Sequence, residues 1–269
     1  FLGDRLNLSM EKKSSEQGLF FDLTMKTPSM HGEVKGEIND QSVLLKEPAQ
    51  FKIDITPESI NTLTESHLFL THSTQALLIV KNLNLPLTFF SPLLDNDPCK
   101  ISFDSTITLA PIQLNTLSEK NLVVSQLEAK IATALCEKFV HFSLIGKAKK
   151  DEVISDLSFS TTIDKPENIY NLPKKIQKSA QYKLLLSHFP LDIIPIFHKK
   201  NDLLSKIGPT IDVKLEIAHE NDEAWSGALS LESANIKLKE AQFKIDDKFT
   251  LLKPASLDLM RSEEHTSEL

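Results

Sequence analysis

The sequence predicts a mostly β chain, and three observations carry the prediction. Ile211-Asp-Val-Lys-Leu-Glu-Ile217 alternates strictly, with apolar residues at 211, 213, 215 and 217 and charged ones between them. An extended strand sorts that pattern onto one apolar and one charged face, whereas a helix scatters it around its circumference. The same alternation recurs at Phe21/Leu23/Met25, Phe51/Ile53/Ile55, Ile101/Phe103/Ile107/Leu109 and Leu157/Phe159/Ile163. Helix signals, by contrast, are confined to a few short stretches.

In chain order, residues 19–26 and 34–38 read as strands, and Leu44 to Ala49 leads into the strand Phe51–Ile55. Thr56-Pro57-Glu58 then opens a short helix with Ile60 and Leu63 on its apolar face. The hydroxyl caps, proline suits the first turn, and the acid suits the positive end of the helix dipole. From Leu77 to Phe89 the odd positions are apolar except Lys81, and Pro86 marks an interruption, bulge or edge because it has no N–H for a ladder. Asp95-Asn-Asp-Pro98 is a turn before the strand Ile101–Leu109. Residues 122–135 fit a strand or a helix; strand is preferred because Val140/Phe142/Leu144 follows at hairpin distance and ends on Gly146. Leu157–Ile163 is extended, 166–181 helical with a break at Pro173, and 183–191 extended again. A helix over 192–207 stops at Gly208-Pro209. Ile211–Ile217, a hairpin at 221–227, and strands near 229–231, 236–245 and 249–259 complete the pattern.

Of the 269 residues, 41% are apolar, enough for a substantial core in one large or two smaller domains. The net charge of −7 leaves no basic footprint for nucleic acid and no cationic block for an anionic membrane surface. The longest apolar stretch, Ala76 to Leu94, is broken by Lys81, Asn82, Asn84 and two prolines, so no membrane span is expected within these residues. The chain lacks an initiator Met and a signal segment at its start, and is expected to be a fragment. Arg261-Ser-Glu-Glu-His-Thr-Ser-Glu-Leu269 reads codon by codon as a translated sequencing-library adapter and is set aside as an artefactual tail. Cys99 and Cys136 lack CxxC spacing, and two unrelated free thiols are the plainer expectation over a disulfide.

Three pairs of segments recur in the same order. Ile55-Thr-Pro57-Glu58 resembles Ile163-Asp-Lys-Pro166-Glu167, and Leu85-Pro86-Leu87 resembles Phe189-Pro190-Leu191. Ile38 to Ala49 resembles Ile245 to Ala255. They imply a repeat of about 105 residues. Residues 1–150 would hold a first unit, 151–260 a second and the start of a third, and 261–269 the tail.

Chemistry-bearing motifs are scarce. His31, His67, His72, His141, His188, His198, His219 and His265 show no HxH, HExxH or Cys/His spacing. Asp95-Asn96-Asp97 lacks the Gly and distal Glu of a calcium loop, and Lys147 to Glu152 reads as a solvated hairpin tip. With 7 Gly and neither a phosphate loop nor a GxSxG elbow, the expectation is no enzyme, no catalytic residue, no cofactor and no metal. What remains is apolar surface. It is consumed if two sheets pack into a sandwich, and stays available if one sheet curls without closing; periodicity alone leaves both open.

The strand-then-Pro-Glu segments at 51–63 and 157–172, Phe189-Pro-Leu-Asp-Ile-Ile194, the strand from Gly208 to Ile217 and the alternation over 229–259 together resemble AsmA/TamB-like proteins of the repeating β-groove superfamily. The resemblance spans most of 19–260, although low glycine departs from the glycine-rich hairpins of many members. It implies an extended, twisted antiparallel sheet curled into an open groove with a few short helices. It further implies a periplasmic, cell-envelope location and a membrane anchor outside this fragment. The implied function is non-enzymatic lipid binding and transfer, or aid to outer-membrane assembly. Phospholipid would be the partner, with the inner and outer membranes met by parts outside the fragment. Acyl chains would lie along Leu77, Ile79, Leu83, Leu85, Ile101, Phe103, Ile107, Leu109, Leu157, Phe159, Ile211, Val213, Leu215 and Ile217, with headgroups at the open edge. The alternative is a structural or adhesive β-scaffold without a ligand.

Overall fold

The computed structural model describes residues 6–12, 18–27, 29–58, 68–91, 93, 97–116, 121–171, 180–191, 204, 206–221, 224–246, 249–252 and 256–259. They form one 18-stranded antiparallel sheet. Its strands are β1 (Leu6–Lys12), β2 (Leu19–Lys26), β3 (Met30–Ile38), β4 (Ser42–Leu45), β5 (Ala49–Ile55), β6 (Leu68–Leu70), β7 (Thr74–Pro86), β8 (Ser102–Leu109) and β9 (Ile112–Thr116). The second half has β10 (Asn121–Thr133), β11 (Phe139–Lys150), β12 (Val153–Asp164), β13 (Gln181–Pro190), β14 (Thr210–Asn221), β15 (Ala224–Ser233), β16 (Ile236–Ile245), β17 (Phe249–Leu251) and β18 (Ser256–Leu259). Long strands lie beside their sequence neighbours, as hairpin connections favour. Short ones share a column: β4 and β5 both bridge β3 to β7, β8 and β9 both lie on β10, and β17 and β18 both lie on β16. Among the described residues β1 pairs only with β2, and β18 only with β16.

Residues 122–133 are strand, as hairpin distance to β11 suggested. Helix is sparser. Pro57 and Glu58 are helical, Ile169–Asn171 is one 3-10 turn whose N–H groups donate to Asn168 Oδ1, and Leu204, Lys206 and Ile207 are helical. The helix expected at 166–181 is corrected at both ends: Pro166 to Asn168 form a bend after β12 and Gln181 already belongs to β13. Residues 59–63, 172–179, 192–203 and 205 of the expected helices, together with residues 95 and 96 of the expected turn, His67, His198 and 261–269, lie outside the described residues. Gly208 takes φ 112° and donates its N–H to the Leu204 carbonyl at 2.8 Å. That left-handed stop is what a glycine after a helix supplies.

Sequence alternation fails where the ladder slips. β7 pairs Val80 with Ser105 and then Asn82 with Asp104, so Lys81 is an extra residue that resets the faces. β7 itself runs through to Pro86, which ends it, and a 3-10 turn follows at Leu87–Phe90. β13 slips at Ser187 and His188; His188 adopts φ 50° and its N–H donates to Asp212 Oδ1 at 2.6 Å. β16 carries two residues opposite Ser230, with Glu240 at φ 45°.

β5 and β12 each lead into Pro-Glu, at Pro57-Glu58 and Pro166-Glu167, and β7 and β13 each end on proline, Pro86 and Pro190. β12 lies five antiparallel steps along the ladder from β5, an odd number, so the two strands run in opposite senses. The turn Leu87–Phe90 after β7 and the turn Ile169–Asn171 after β12 therefore come to the same end of the sheet and touch.

No second layer covers the sheet among the described residues; each strand packs chiefly on its ladder neighbours. Buried residues collect instead in two small clusters at opposite ends of the strands. One joins Leu70, Ile112, Leu114 and Leu122; the other joins Val140, Ile163 and Ala180. Beside the second, Lys165 is 2% exposed and donates from Nζ to the carbonyls of Ile101 at 2.8 Å and Ala134 at 2.7 Å. Burial pushes its ammonium below the usual lysine range, with Glu137 and then Asp97 pulling it back up. Glu137 also accepts the Ala134 N–H at 2.7 Å and pairs with His141, which together hold its carboxyl below the usual range. Cys99 and Cys136 are not free thiols; a disulfide joins them across the same corner.

Lys165→Met strands the buried Ile101 carbonyl and breaks the part-buried bond to Ala134, and is expected to cost about 1–3 kcal/mol, read as a lower denaturant midpoint at unchanged slope. Because the unfolded chain holds this proton more tightly, the wild type gains stability as pH rises from the depressed value toward the ordinary lysine value of 10.5. That component of the pH profile should vanish in Lys165→Met.

Candidate groove on the apolar face

Residues directly opposite in an antiparallel ladder share a face, so the pairings trace rows across the strands. One row runs Phe51, Leu78, Ile107, Ala129, Leu144, Phe159, Leu184, Leu215, Leu229 and Ala241. The next runs Ile53, Ala76, Leu109, Leu127, Gly146, Leu157, Leu186, Val213, Leu231 and Leu238. Neither contains a polar side chain. At ~4.8 Å per strand each is roughly 40 Å long, more than the ~30 Å hydrocarbon thickness of a bilayer. Most of these side chains are partly exposed, not buried.

On the other side of the first row lies a different one: Ser105, Ile131, Phe142, Thr161, Tyr182, Ile217, Gly227, Phe243 and Leu251. Its neighbour at the rim pairs Phe103 with Thr133, Val140 with Ile163, and His219 with Trp225. Tyr182 and Trp225 meet at 5.8 Å between ring centroids although β14 separates their strands, which a flat sheet would hold ~9.5 Å apart. The rings lean toward each other as on the inner side of a curled sheet. Toward the opposite rim the apolar face deepens into a cavity of about 210 Å³ lined by Ile112, Leu114, Leu122, Val124, Leu157 and Phe189 among others. Apolar cavities of ~150 Å³ already take up benzene.

The outer face is wet. Lys147 reaches Asp156 at 3.7 Å and Lys214 reaches Glu216 at 3.6 Å, both pairs largely exposed. Such pairs contribute little to stability and keep that face soluble.

Of the residues expected to form a groove, the ladder sets Leu83, Leu85, Phe103, Ile107, Leu109, Leu157, Phe159, Ile211, Val213, Leu215 and Ile217 on one face. Leu77 and Ile79 are corrections: they pair with Thr108 and Thr106 on the outer face, and the extra residue Lys81 is the reason. Ile101 is a second correction. It precedes β8, is 1% exposed and gives its carbonyl to Lys165, so it belongs to the buried corner. Leu78, Val80, Leu144, Leu184, Leu186, Leu229 and Leu231 share the apolar face without having been singled out. Among the described residues, no three His, Cys, Asp or Glu side chains stand together where a metal ion would sit.

Gly227 is built into this face. A Cβ there would stand 2.5 Å from the Glu216 carbonyl oxygen and 2.6 Å from Phe243 Cζ, whose ring covers the glycine. Gly227→Ala is expected to cost about 1–3 kcal/mol and lower Tm by several degrees, measured by thermal unfolding.

Compared with protein-family models, with curated proteins and with solved structures, the chain matches none.

Proposed function

We propose that the apolar face is a lipid-binding groove and that this chain is a non-enzymatic lipid-transfer module of the cell envelope. The observation that carries the reading is the pair of uninterrupted apolar rows, partly exposed on a sheet that, among the described residues, has no second layer packed upon it. Contiguous exposed apolar surface on this scale marks a binding surface, since monomeric soluble proteins rarely leave it bare. Phospholipid acyl chains fit it: they are apolar, flexible and tolerant of a floor made of leucine, valine and alanine. Sliding along such a floor requires no directional bond, which suits transfer between membranes or delivery to outer-membrane assembly. The disulfide between Cys99 and Cys136 supports an oxidising location such as the periplasm.

Extraction of the purified protein with organic solvent, followed by mass spectrometry, tests this reading. Phospholipid in stoichiometric amount is the expected result. A lipid-free protein that also fails to take up fluorescent phospholipid from vesicles would leave a ligand-free scaffold in its place.

A further inference from the structure

The groove is not uniform across its width, and the difference assigns an orientation to its ligand. Resting on the lipid reading above, we propose that a diacyl phospholipid lies across the sheet in one sense, its glycerol-ester region at the Trp225 rim and its acyl chains toward Leu157 and the apolar cavity. Four rings lie in sequence on β11, β12, β13 and β15. Phe142 and Phe159 are 6.0 Å apart, Phe159 and Tyr182 6.3 Å, and Tyr182 and Trp225 5.8 Å. His219 closes the series, 4.5 Å from Trp225. Rings with a polar handle settle where a hydrocarbon region gives way to polar groups. Among the described residues, this side of the groove carries such handles in Tyr182, Trp225, His219 and the hydroxyl of Thr161, whereas the Ser155 hydroxyl at the cavity end is already committed to the His188 carbonyl.

Thr161 supplies the independent observation. Its Oγ1 is buried on the groove face, between Phe142 and Tyr182 in the ladder, and has no hydrogen-bond partner among the described residues. A buried hydroxyl left unpaired is costly, and an ester carbonyl that enters between the flanking Phe142 and Tyr182 rings would accept its proton. The adjoining rows, by contrast, offer no donor or acceptor side chain to a headgroup, and the cavity beyond them is almost wholly apolar.

The chain contains a single tryptophan, Trp225, so its fluorescence reports one point on this rim. The full chain is loaded with phosphatidylcholine brominated either near the carbonyl end or near the methyl end of the acyl chain. Several-fold stronger quenching by the carbonyl-end label is expected. Equal or stronger quenching by the methyl-end label would overturn the orientation while leaving lipid binding intact. No quenching by either label would overturn both. In parallel, Thr161→Val should weaken phosphatidylcholine binding about fivefold, the worth of one hydrogen bond. It should leave uptake of a brominated alkane unchanged. Equal losses for both probes would point to altered packing and contradict the role given to the hydroxyl.

Discussion

Leu215→Asp is expected to strip phospholipid from the protein while the sheet stays folded. Leu215 sits within an all-apolar row, directly between Leu184 and Leu229, and is partly exposed. A carboxylate there keeps water while the groove is empty, so the unliganded fold tolerates it. When acyl chains cover it, the charge must be desolvated without a partner. That cost is several kcal/mol, enough to lower lipid occupancy on the order of 100-fold. Val213→Asp, in the neighbouring row between Leu186 and Leu231, should act in the same way. Lys214→Asp changes the outer face between them and should leave lipid binding as it was. Quantitative lipid extraction from each variant, with circular dichroism to follow the strands, gives the comparison.

The second large effect concerns stability. Opening the Cys99–Cys136 bond, by reductant or by replacing both cysteines with serine, frees residues 37 apart in sequence. Loop-closure entropy for that length lies between ~3 and ~4.7 kcal/mol. The bond ties the turn Pro98–Lys100 to the β10–β11 turn, the corner where Lys165 also holds two carbonyls. Equilibrium unfolding with and without reductant should show the loss, and lipid affinity should change far less than stability because the leucine rows lie elsewhere. A double serine variant as stable as the wild type would remove the disulfide from the account of the fold.

Much of the sheet is legible in the sequence because one face of each strand is wet and the other is not. β14 is the clearest case: over Ile211–Ile217 it alternates without a slip, and the ladder keeps every odd residue on the apolar face. β7 shows the limit. Reading straight through Lys81 as a tolerated lapse puts Leu77 and Ile79 on the wrong side, because a bulge shifts the period by one. The slip in β13 carries little signal, since positive φ is uncommon even at a histidine such as His188. Ile101 looked like the first position of β8, but the disulfide and Lys165 draw it into the corner, a tertiary effect invisible to periodicity. The strands β1 and β9 had brief alternation at Leu6/Leu8/Met10 and Ile112/Leu114, too short to weigh alone. The aromatic series could not be read from the chain either: Phe142, Phe159, Tyr182 and Trp225 become neighbours only once pairing sets their register.

The most direct test of the lipid groove places a photoreactive benzophenone side chain at Leu215 or at Lys214, adjacent residues on opposite faces of β14. After loading with radiolabelled phosphatidylcholine and irradiation, a lipid adduct should form at position 215 and not at 214. Equal labelling at both positions, or none at 215, would contradict a groove on the apolar face.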